Sequence, residues 1–119
     1  APKTHQPCPD LITKAGGNIT ITEDCNAAAE GADLLYTDVW VSMGMEEEAV
    51  QREQDFAGYQ INEALVSRAN EGALIMHCLP AYRGKEIDEP TFDAHADTIF
   101  TQAENRLHTQ KAILDWLIS

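Results

Sequence analysis

The sequence is poor in basic residues and in long apolar runs, and each shortage excludes a class of protein. It holds 8 Lys and Arg against 20 Asp and Glu, which gives a formal net charge of −12. So few cations cannot neutralise the phosphates of a nucleic-acid duplex or hold the chain on an anionic membrane surface. No apolar stretch approaches the roughly 18 residues of a membrane span. The first residues also lack the apolar core of a signal peptide.

Cysteine is scarce, and several well-known short motifs are missing. The three cysteines, Cys8, Cys25 and Cys78, are odd in number and form no C-x-x-C pair. We therefore expect a reducing compartment, with neither a disulfide framework nor a structural zinc site. The sequence has no G-x-G-x-x-G, no Walker loop and no G-x-S-x-G, so no motif indicates nucleotide binding or serine hydrolysis.

What is present is enough for one folded domain. The 119 residues are 44% apolar, which can supply a hydrophobic core despite the charge, so we do not expect disorder. An acidic chain can still bind an anionic small molecule, because one well-placed arginine overrides the net field locally.

Strand and helix patterns alternate along the chain. The hydrophobic pattern predicts strands at 18–22, 34–40, 73–79 and 98–101, of which 73–79 is the most apolar. Helices are predicted to begin at Pro9, Asp24, Glu46 and Asn62, and a long last helix spans Gln102 to Ile118. In the third helix, Met45, Ala49 and Phe56 are expected to face inward. This alternation predicts an α/β fold, a doubly wound and mainly parallel sheet with helices on both faces.

Ligands of such sheets bind where the strands end at their carboxyl edge. Three segments place polar residues directly after a predicted strand, namely Asp38–Gly44, His77–Gly84 and Gln102–Arg106. We therefore expect any binding site to be built from these three segments.

The adjacent His77 and Cys78 invite a nucleophilic or metal-binding interpretation. Neighbouring side chains on a strand point to opposite faces, so the two cannot form a dyad with each other. Cys78 is either a small apolar filler or a residue of a ligand site at the strand end. His77, on the other face, is expected to be a core histidine with its hydrogen bonds satisfied.

The two charged candidates, Asp38 and Arg106, each allow an ordinary structural role. Asp38 ends a strand, where it can cap a turn or hold a substrate ammonium group. Arg106 is expected in the first turns of the last helix, where the dipole disfavours a cation, so it needs an anion such as Glu104 or a ligand. For the segment Ser42-Met43-Gly44 the local pattern favours an ordinary helix cap, and Arg83 has the same two interpretations as Arg106.

Taken together, the motifs resemble those of the ornithine carbamoyltransferases. The resemblance rests on D-x-x-x-S-M-G at 38–44, Y-Q-x-N at 59–62, H-C-L-P-A-x-R-G at 77–84 and Q-A-E-N-R-L-H-x-Q-K-A at 102–112. Their order and spacing agree with the family from about residue 2 to the end. The family transfers the carbamoyl group of carbamoyl phosphate to the δ-amino group of ornithine, giving citrulline and phosphate.

The resemblance implies roles on the ornithine side of the reaction. Asp38 would hold the α-ammonium group, with Ser42 and Met43 closing over the other end of the amino acid. Cys78 would lie beside the reacting amine, where with Asp38 it would tune or relay the proton.

On the carbamoyl phosphate side, the main chain at Cys78 and Leu79 would accept from the carbamoyl NH₂, and Arg106 would bind the substrate oxygens. The Leu79–Pro80 peptide is expected to be cis. Catalysis would thus depend on Cys78, Asp38 and Arg106, with no metal and no organic cofactor.

The resemblance also implies that residues 1–119 are a partial, incomplete Rossmann-like ornithine-binding domain. The S-x-R-T-R-type loop of the carbamoyl phosphate domain and the G-D-x-N-N-type loop do not occur here. We therefore expect a piece of a larger polypeptide, or a variant whose sheet is completed differently, inactive alone and with apolar sheet faces exposed. The complete enzyme is expected to be a homotrimer in the cytoplasm or the mitochondrial matrix.

Two alternatives remain at this stage. One is a related carbamoyltransferase with another acceptor amine, such as putrescine, against which Ser42-Met43-Gly44 argues. The other is a non-catalytic binding or regulatory module derived from the enzyme, against which the joint presence of Asp38, Cys78 and Arg106 argues.

Overall fold

Two parallel strands form the sheet in the computed structural model, which describes all 119 residues. Strand β1 is Leu34–Thr37 and strand β2 is Leu74–His77. They pair in parallel, with Leu34 opposite Leu74 and Thr37 opposite His77. The predicted α/β class with a parallel sheet is confirmed, although both strands are shorter than the pattern suggested.

Six α-helices accompany the sheet: α1 (Pro9–Lys14), α2 (Cys25–Ala29), α3 (Ala49–Asp55), α4 (Glu63–Val66), α5 (Glu89–Ala94) and α6 (Ala96–Ile118). Short 3₁₀ turns occupy Lys3–His5 and Glu46–Glu48. The predicted caps of α2 and α4 are confirmed, because the side chains of Asp24 and Asn62 accept main-chain N–H groups of the first turn. None of the helices has both the length and the apolar character needed to cross a membrane.

The core lies around β2 and the chain that follows it. Its buried members are Ile61, Ile75, Ile87, Phe92 and Ile99. Helix α6 packs against β2 and against α5, which places the start of the longest helix beside β2.

The predicted strand at 98–101 is wrong, because α6 runs through it from Ala96. Ile99 is fully buried and Ala103, four residues on, is half-buried, which is the spacing of one helix face. A strand here needs a neighbour to satisfy its main-chain groups, whereas a helix satisfies its own. The long last helix is confirmed, with an earlier start.

The predicted strand at 18–22 is also wrong. The segment is irregular, and Ile19 is 53% exposed. An alternating pattern cannot form a strand without a partner strand to pair with, and none lies beside it.

The two-stranded sheet leaves apolar side chains uncovered. Leu34, Tyr36 and Leu74 are 45%, 52% and 50% exposed. The Cα radius of gyration is 16.1 Å, above the roughly 13.5 Å of a compact chain of this length. The fold is therefore well packed around β2 and open along the sheet faces.

Candidate active site

Asp38 and Cys78 meet at the carboxyl edge of the sheet. Each directly follows one of the two strands, and the parallel register makes them neighbours. The Cys78 thiol donates to Asp38 Oδ1 at 3.0 Å, and the same oxygen accepts the Val39 N–H at 2.7 Å. Asp38 therefore both shapes its own turn and contacts Cys78, which joins two segments far apart in sequence.

Cys78 is held as a neutral thiol. Burial raises the pKa of the Cys78 thiol, and the hydrogen bond to the Asp38 carboxylate and its negative charge raise it further. Because the thiolate is the nucleophilic form, a raised pKa disfavours nucleophilic attack by sulfur at neutral pH. The site uses Cys78 as a hydrogen-bond donor.

His77 faces away from Cys78 into the core, as predicted. Its side chain is fully buried. Nε2 lies 3.1 Å from Glu86 Oε1, and Nδ1 accepts the Leu79 N–H at 2.8 Å. The expectation of a satisfied core histidine is therefore confirmed, and the two neighbours form no dyad.

The turn after β2 carries an unusual backbone. The Leu79–Pro80 peptide is cis, which confirms the expectation, and Leu79 has φ 56°, the left-handed region that a non-glycine residue rarely adopts. The Leu79 side chain packs against the core. Both the side chain and the main-chain amide of Leu79 therefore hold the turn in place.

Arg106 reaches the same turn from α6. Its Nη1 lies 3.4 Å from the Cys78 carbonyl oxygen. Because α6 begins at Ala96, Arg106 is not in the first turns of the helix, and the dipole argument for a counter-anion does not apply. Glu104, the side-chain anion considered for it, contacts His108 at 3.2 Å instead. Arg106 pairs with no carboxylate, which leaves its charge available to a ligand.

The other candidate arginine, Arg83, is already paired. Its guanidinium lies 2.8 Å from Asp93 and 3.3 Å from Glu89, and it stacks 4.5 Å from the centre of the Phe92 ring. Arg52 and Arg68 also have carboxylate partners. Arg83 is thus a structural residue.

The structure does not bring Ser42 and Met43 to the Asp38–Cys78 contact. Met43 is 94% exposed. The loop lines a cavity of about 170 Å³ together with Trp40, Glu46, Tyr82 and Glu86. Ser42 makes no helix cap, because Met45 holds the N-cap position without a side-chain bond.

The expected inner stripe of the third helix needs one correction. Ala49 and Phe56 are half-buried, but Met45 is 40% exposed, because it precedes the 3₁₀ turn and is not part of the helix. Phe56 stacks between His5 and Trp40, with ring centres 4.7 Å and 6.0 Å away.

Sequence reasoning missed Tyr36 and Glu86, and it named Gln102 only as the first residue of the third polar segment. Gln102 donates to the Tyr36 hydroxyl at 3.2 Å. Burial raises the pKa of Tyr36, and the Cys78 thiol beside it adds to the rise. Tyr36 lies two residues before Asp38 on the same strand face, a spacing that was visible in the sequence. Glu86 gave no such signal, because a carboxylate next to a lysine is typically solvated.

The arrangement combines a carboxylate, a neutral thiol, main-chain carbonyls and one unpaired cation around a single turn. These groups can hold an ammonium or amide N–H and an anion side by side. No three His, Cys, Asp or Glu side chains come together as a metal site would require.

Known proteins match both the sequence and the fold. The family model described as aspartate/ornithine carbamoyltransferase, Asp/Orn binding domain, matches residues 1–117. The chain is 46% identical over 123 residues to the ornithine carbamoyltransferase of Nitratiruptor sp., covering 98% of this chain and 40% of that protein. It is 48% identical over 120 residues to the ornithine carbamoyltransferase of Methanobrevibacter smithii, covering 95% of this chain and 40% of that protein.

A solved structure agrees with these sequence matches. The crystal structure of anabolic ornithine carbamoyltransferase from Campylobacter jejuni superposes with a TM-score of 0.90 at 40% identity, covering 98% of this chain and 41% of that chain. The chain therefore spans about two fifths of the length of the relatives that it matches.

Proposed function

The chain belongs to the aspartate/ornithine carbamoyltransferase family by its match to the Asp/Orn-binding domain, and from this we propose that it forms the acceptor-binding part of an ornithine carbamoyltransferase. The complete enzyme transfers the carbamoyl group of carbamoyl phosphate to the δ-amino group of ornithine, giving citrulline and phosphate. The names of the similar proteins support ornithine as the acceptor.

One observation carries the proposal. Asp38, Cys78 and Arg106 come from three separate motifs and meet at one turn, with contacts of 3.0 Å and 3.4 Å to Cys78. A fold alone does not require a carboxylate, a thiol and an unpaired guanidinium to converge there.

The residue types suit acyl transfer to an amine. The neutral amine attacks the carbamoyl carbon, the bond from that carbon to the phosphate oxygen breaks, and one amine proton must leave. In the proposal, Asp38 binds the α-ammonium group of ornithine through a charge-assisted hydrogen bond. Cys78, which donates to Asp38, lies beside the reacting δ-amine, and the pair tunes or relays that proton.

The carbamoyl phosphate side needs a polarised carbonyl and a stabilised leaving group. Arg106 has no carboxylate to neutralise it, so its full charge is available to the substrate oxygens. The main-chain carbonyls of Cys78 and Leu79 accept from the carbamoyl NH₂, which orients the carbonyl carbon toward the amine. Ser42 and Met43 close over ornithine from the neighbouring loop.

The proposal extends to the rest of the enzyme. The carbamoyl phosphate domain lies outside residues 1–119, so the 119-residue chain alone is inactive, and the complete enzyme works as a homotrimer in the cytoplasm. All three cysteines are free thiols, which suits that compartment. Carbamoyl transfer needs neither a metal nor an organic cofactor, since phosphate is already a competent leaving group.

Acceptor choice tests the proposal. The complete enzyme is assayed with carbamoyl phosphate and either ornithine, aspartate or putrescine. We expect kcat/KM to be highest for ornithine, and Asp38→Asn to lower it about 100-fold, the size of one lost charge-assisted contact. Putrescine, which has no α-carboxylate, should remain a poor acceptor. A kcat/KM for putrescine equal to or higher than that for ornithine would contradict ornithine as the preferred acceptor. Ornithine binding without turnover would show that the protein is a binding module.

A further inference from the structure

Two buried polar side chains beneath the Cys78–Leu79 turn have no part in the mechanism above. His77 and Glu86 are both fully buried. Burying an ionisable pair costs free energy that an apolar pair of similar volume avoids. Their contacts point to what the pair does.

The hydrogen bonds fix the position of the histidine proton. The Leu79 N–H can only donate, so Nδ1 of His77, 2.8 Å away, accepts and carries no proton. The other ring nitrogen, Nε2, lies 3.1 Å from the Glu86 carboxylate, which accepts. His77 is therefore the neutral tautomer with its proton on Nε2, and Glu86 holds it so.

Glu86 ties together both ends of the turn. Its Oε1 also accepts the Tyr82 N–H at 2.6 Å, while its own main-chain carbonyl accepts the Ile61 N–H at 2.9 Å. Its second carboxylate oxygen, Oε2, has no partner in the protein. Both hydrogen bonds of the carboxylate are therefore accepted by Oε1, which bridges His77 before the turn and Tyr82 after it.

We propose that His77 and Glu86 are positioning residues for carbamoyl transfer: Glu86 sets the tautomer of His77, and His77 holds the Leu79 amide. The hydrogen bond from the Leu79 N–H to His77 keeps Leu79 at φ 56°. This backbone conformation aims the adjacent main-chain carbonyls at the carbamoyl NH₂ and presents the Cys78 carbonyl to Arg106. The inference rests on the proposed function for its catalytic consequence, whereas the hydrogen-bond chain itself does not.

A matched pair of substitutions at His77 separates positioning from packing. Asn places a side-chain oxygen where Nδ1 lies, so His77→Asn keeps an acceptor for the Leu79 amide. Gln places its amide where Nε2 lies, so His77→Gln keeps the contact to Glu86 and loses that acceptor. Gln fills the site better than Asn, so a purely structural role favours Gln. We expect the Asn variant to be the more active of the two. In His77→Gln kcat should fall about 100-fold, as for a misplacement of about 1 Å, and in His77→Asn it should fall only about tenfold.

A second pair tests Glu86. In Glu86→Gln the amide oxygen still accepts from His77 and Tyr82, so we expect less than tenfold loss in kcat. In Glu86→Leu both contacts disappear, and we expect about 100-fold loss with a raised KM for carbamoyl phosphate and an unchanged KM for ornithine. Glu89→Leu, at an exposed carboxylate bound to Arg83, is the control and should leave the kinetics unchanged. Equal losses in Gln and Leu, or no loss in Leu, would overturn the proposal.

Hydrogen exchange keeps the geometry testable whatever the reaction proves to be. Residue-resolved exchange of the Leu79 amide in the complete enzyme should speed up at least tenfold in His77→Gln and Glu86→Leu, and not in His77→Asn or Glu86→Gln. If the wild type fails to carbamoylate ornithine but this exchange pattern holds, the proposed function is wrong and the hydrogen-bond chain stands. Uniform exchange across the four variants removes the positioning role.

Discussion

Two segments that carry family motifs flank the same sheet edge, and they are built in opposite ways. The segment 77–87, here called the buried turn, is anchored by the fully buried side chains of His77 and Glu86. The segment 38–48, here called the exposed loop, begins at Asp38 and carries Met43, whose side chain is 94% exposed. The first is held by buried side chains, whereas the second is anchored at its ends, through Asp38 and the half-buried Trp40, and exposes Met43 at its tip.

A buried segment and an exposed segment suit different roles in a binding site. Groups that must be aimed before the substrate arrives, such as the Cys78 carbonyl, belong on a preorganised scaffold. Groups that only enclose the substrate can wait for it in an exposed loop with few contacts. Substitutions in the buried turn should therefore change kcat and stability, whereas substitutions in the part of the exposed loop beyond Asp38 should change KM for ornithine.

The largest effect is expected at the cation that faces the buried turn. In the proposed reaction Arg106 stabilises the developing anion, so we expect Arg106→Leu, which removes this positive charge, to lower kcat/KM about 1000-fold. Arg83→Leu is the matched control, because Arg83 is bound to Glu89 and Asp93. Steady-state kinetics of the complete enzyme measures both, and similar losses in the two variants would remove the special role of Arg106.

The next effect concerns stability. Ile75→Ala empties a fully buried position in β2, and we expect a loss of about 3 kcal/mol in the free energy of unfolding, from lost transfer energy and the cavity left behind. Met43→Ala should change it by less than about 0.5 kcal/mol, because the side chain is already in solvent. Denaturant unfolding of the complete enzyme compares them, and a large loss at Met43 would show that the exposed loop is packed in solution.

A smaller effect links the two segments through the Cys78 thiol. Burial raises its pKa, and the hydrogen bond and negative charge of Asp38 in the exposed loop raise it further. Asp38→Asn removes the charge, so the pKa falls part of the way and the thiolate fraction at pH 8 increases. We expect several-fold faster alkylation of Cys78 by iodoacetamide, followed by peptide mass spectrometry.

Cys25 provides the internal reference for that experiment. Burial also raises the pKa of its thiol, and the negative charge of Asp24 beside it adds to the rise. Its alkylation should not respond to Asp38→Asn. An unchanged rate at Cys78, or a parallel rise at both, would break the link between the two segments.

The smallest effect is expected within the exposed loop. Met43→Ala should raise KM for ornithine about fivefold and leave kcat unchanged, because its contacts form only with the bound amino acid. Val50→Ala, at a side chain 72% exposed on α3, is the control and should change neither. A fall in kcat in Met43→Ala would show that Met43 itself takes part in the chemical step.

Local signals in the sequence predicted the parts of the fold whose causes are local. Asp24 and Asn62 cap helices with their own side chains, and the apolar run before His77 forms β2. The meeting of Asp38 and Cys78 was also predictable, since parallel strands of similar length end at one edge.

The errors arose where the outcome depends on distant partners. The alternating segment 18–22 has the right side chains for a strand and nothing to pair with. The β-branched residues at 98–101 suit a strand, yet Ile99 packs on the core as part of α6. Glu86 becomes a buried anchor only because the turn after β2 folds back over it, which no spacing in the sequence reveals.

In the proposed mechanism Asp38 and Cys78 act as one unit at the point where the motifs meet. A double-mutant cycle in the complete enzyme, with Asp38→Asn, Cys78→Ala and the double variant compared by kcat/KM for ornithine, tests it most directly. We expect the double variant to lose little more than Asp38→Asn alone, a coupling energy of more than about 1 kcal/mol. Losses that add to within about 0.5 kcal/mol would contradict it, because independent residues add and a unit does not.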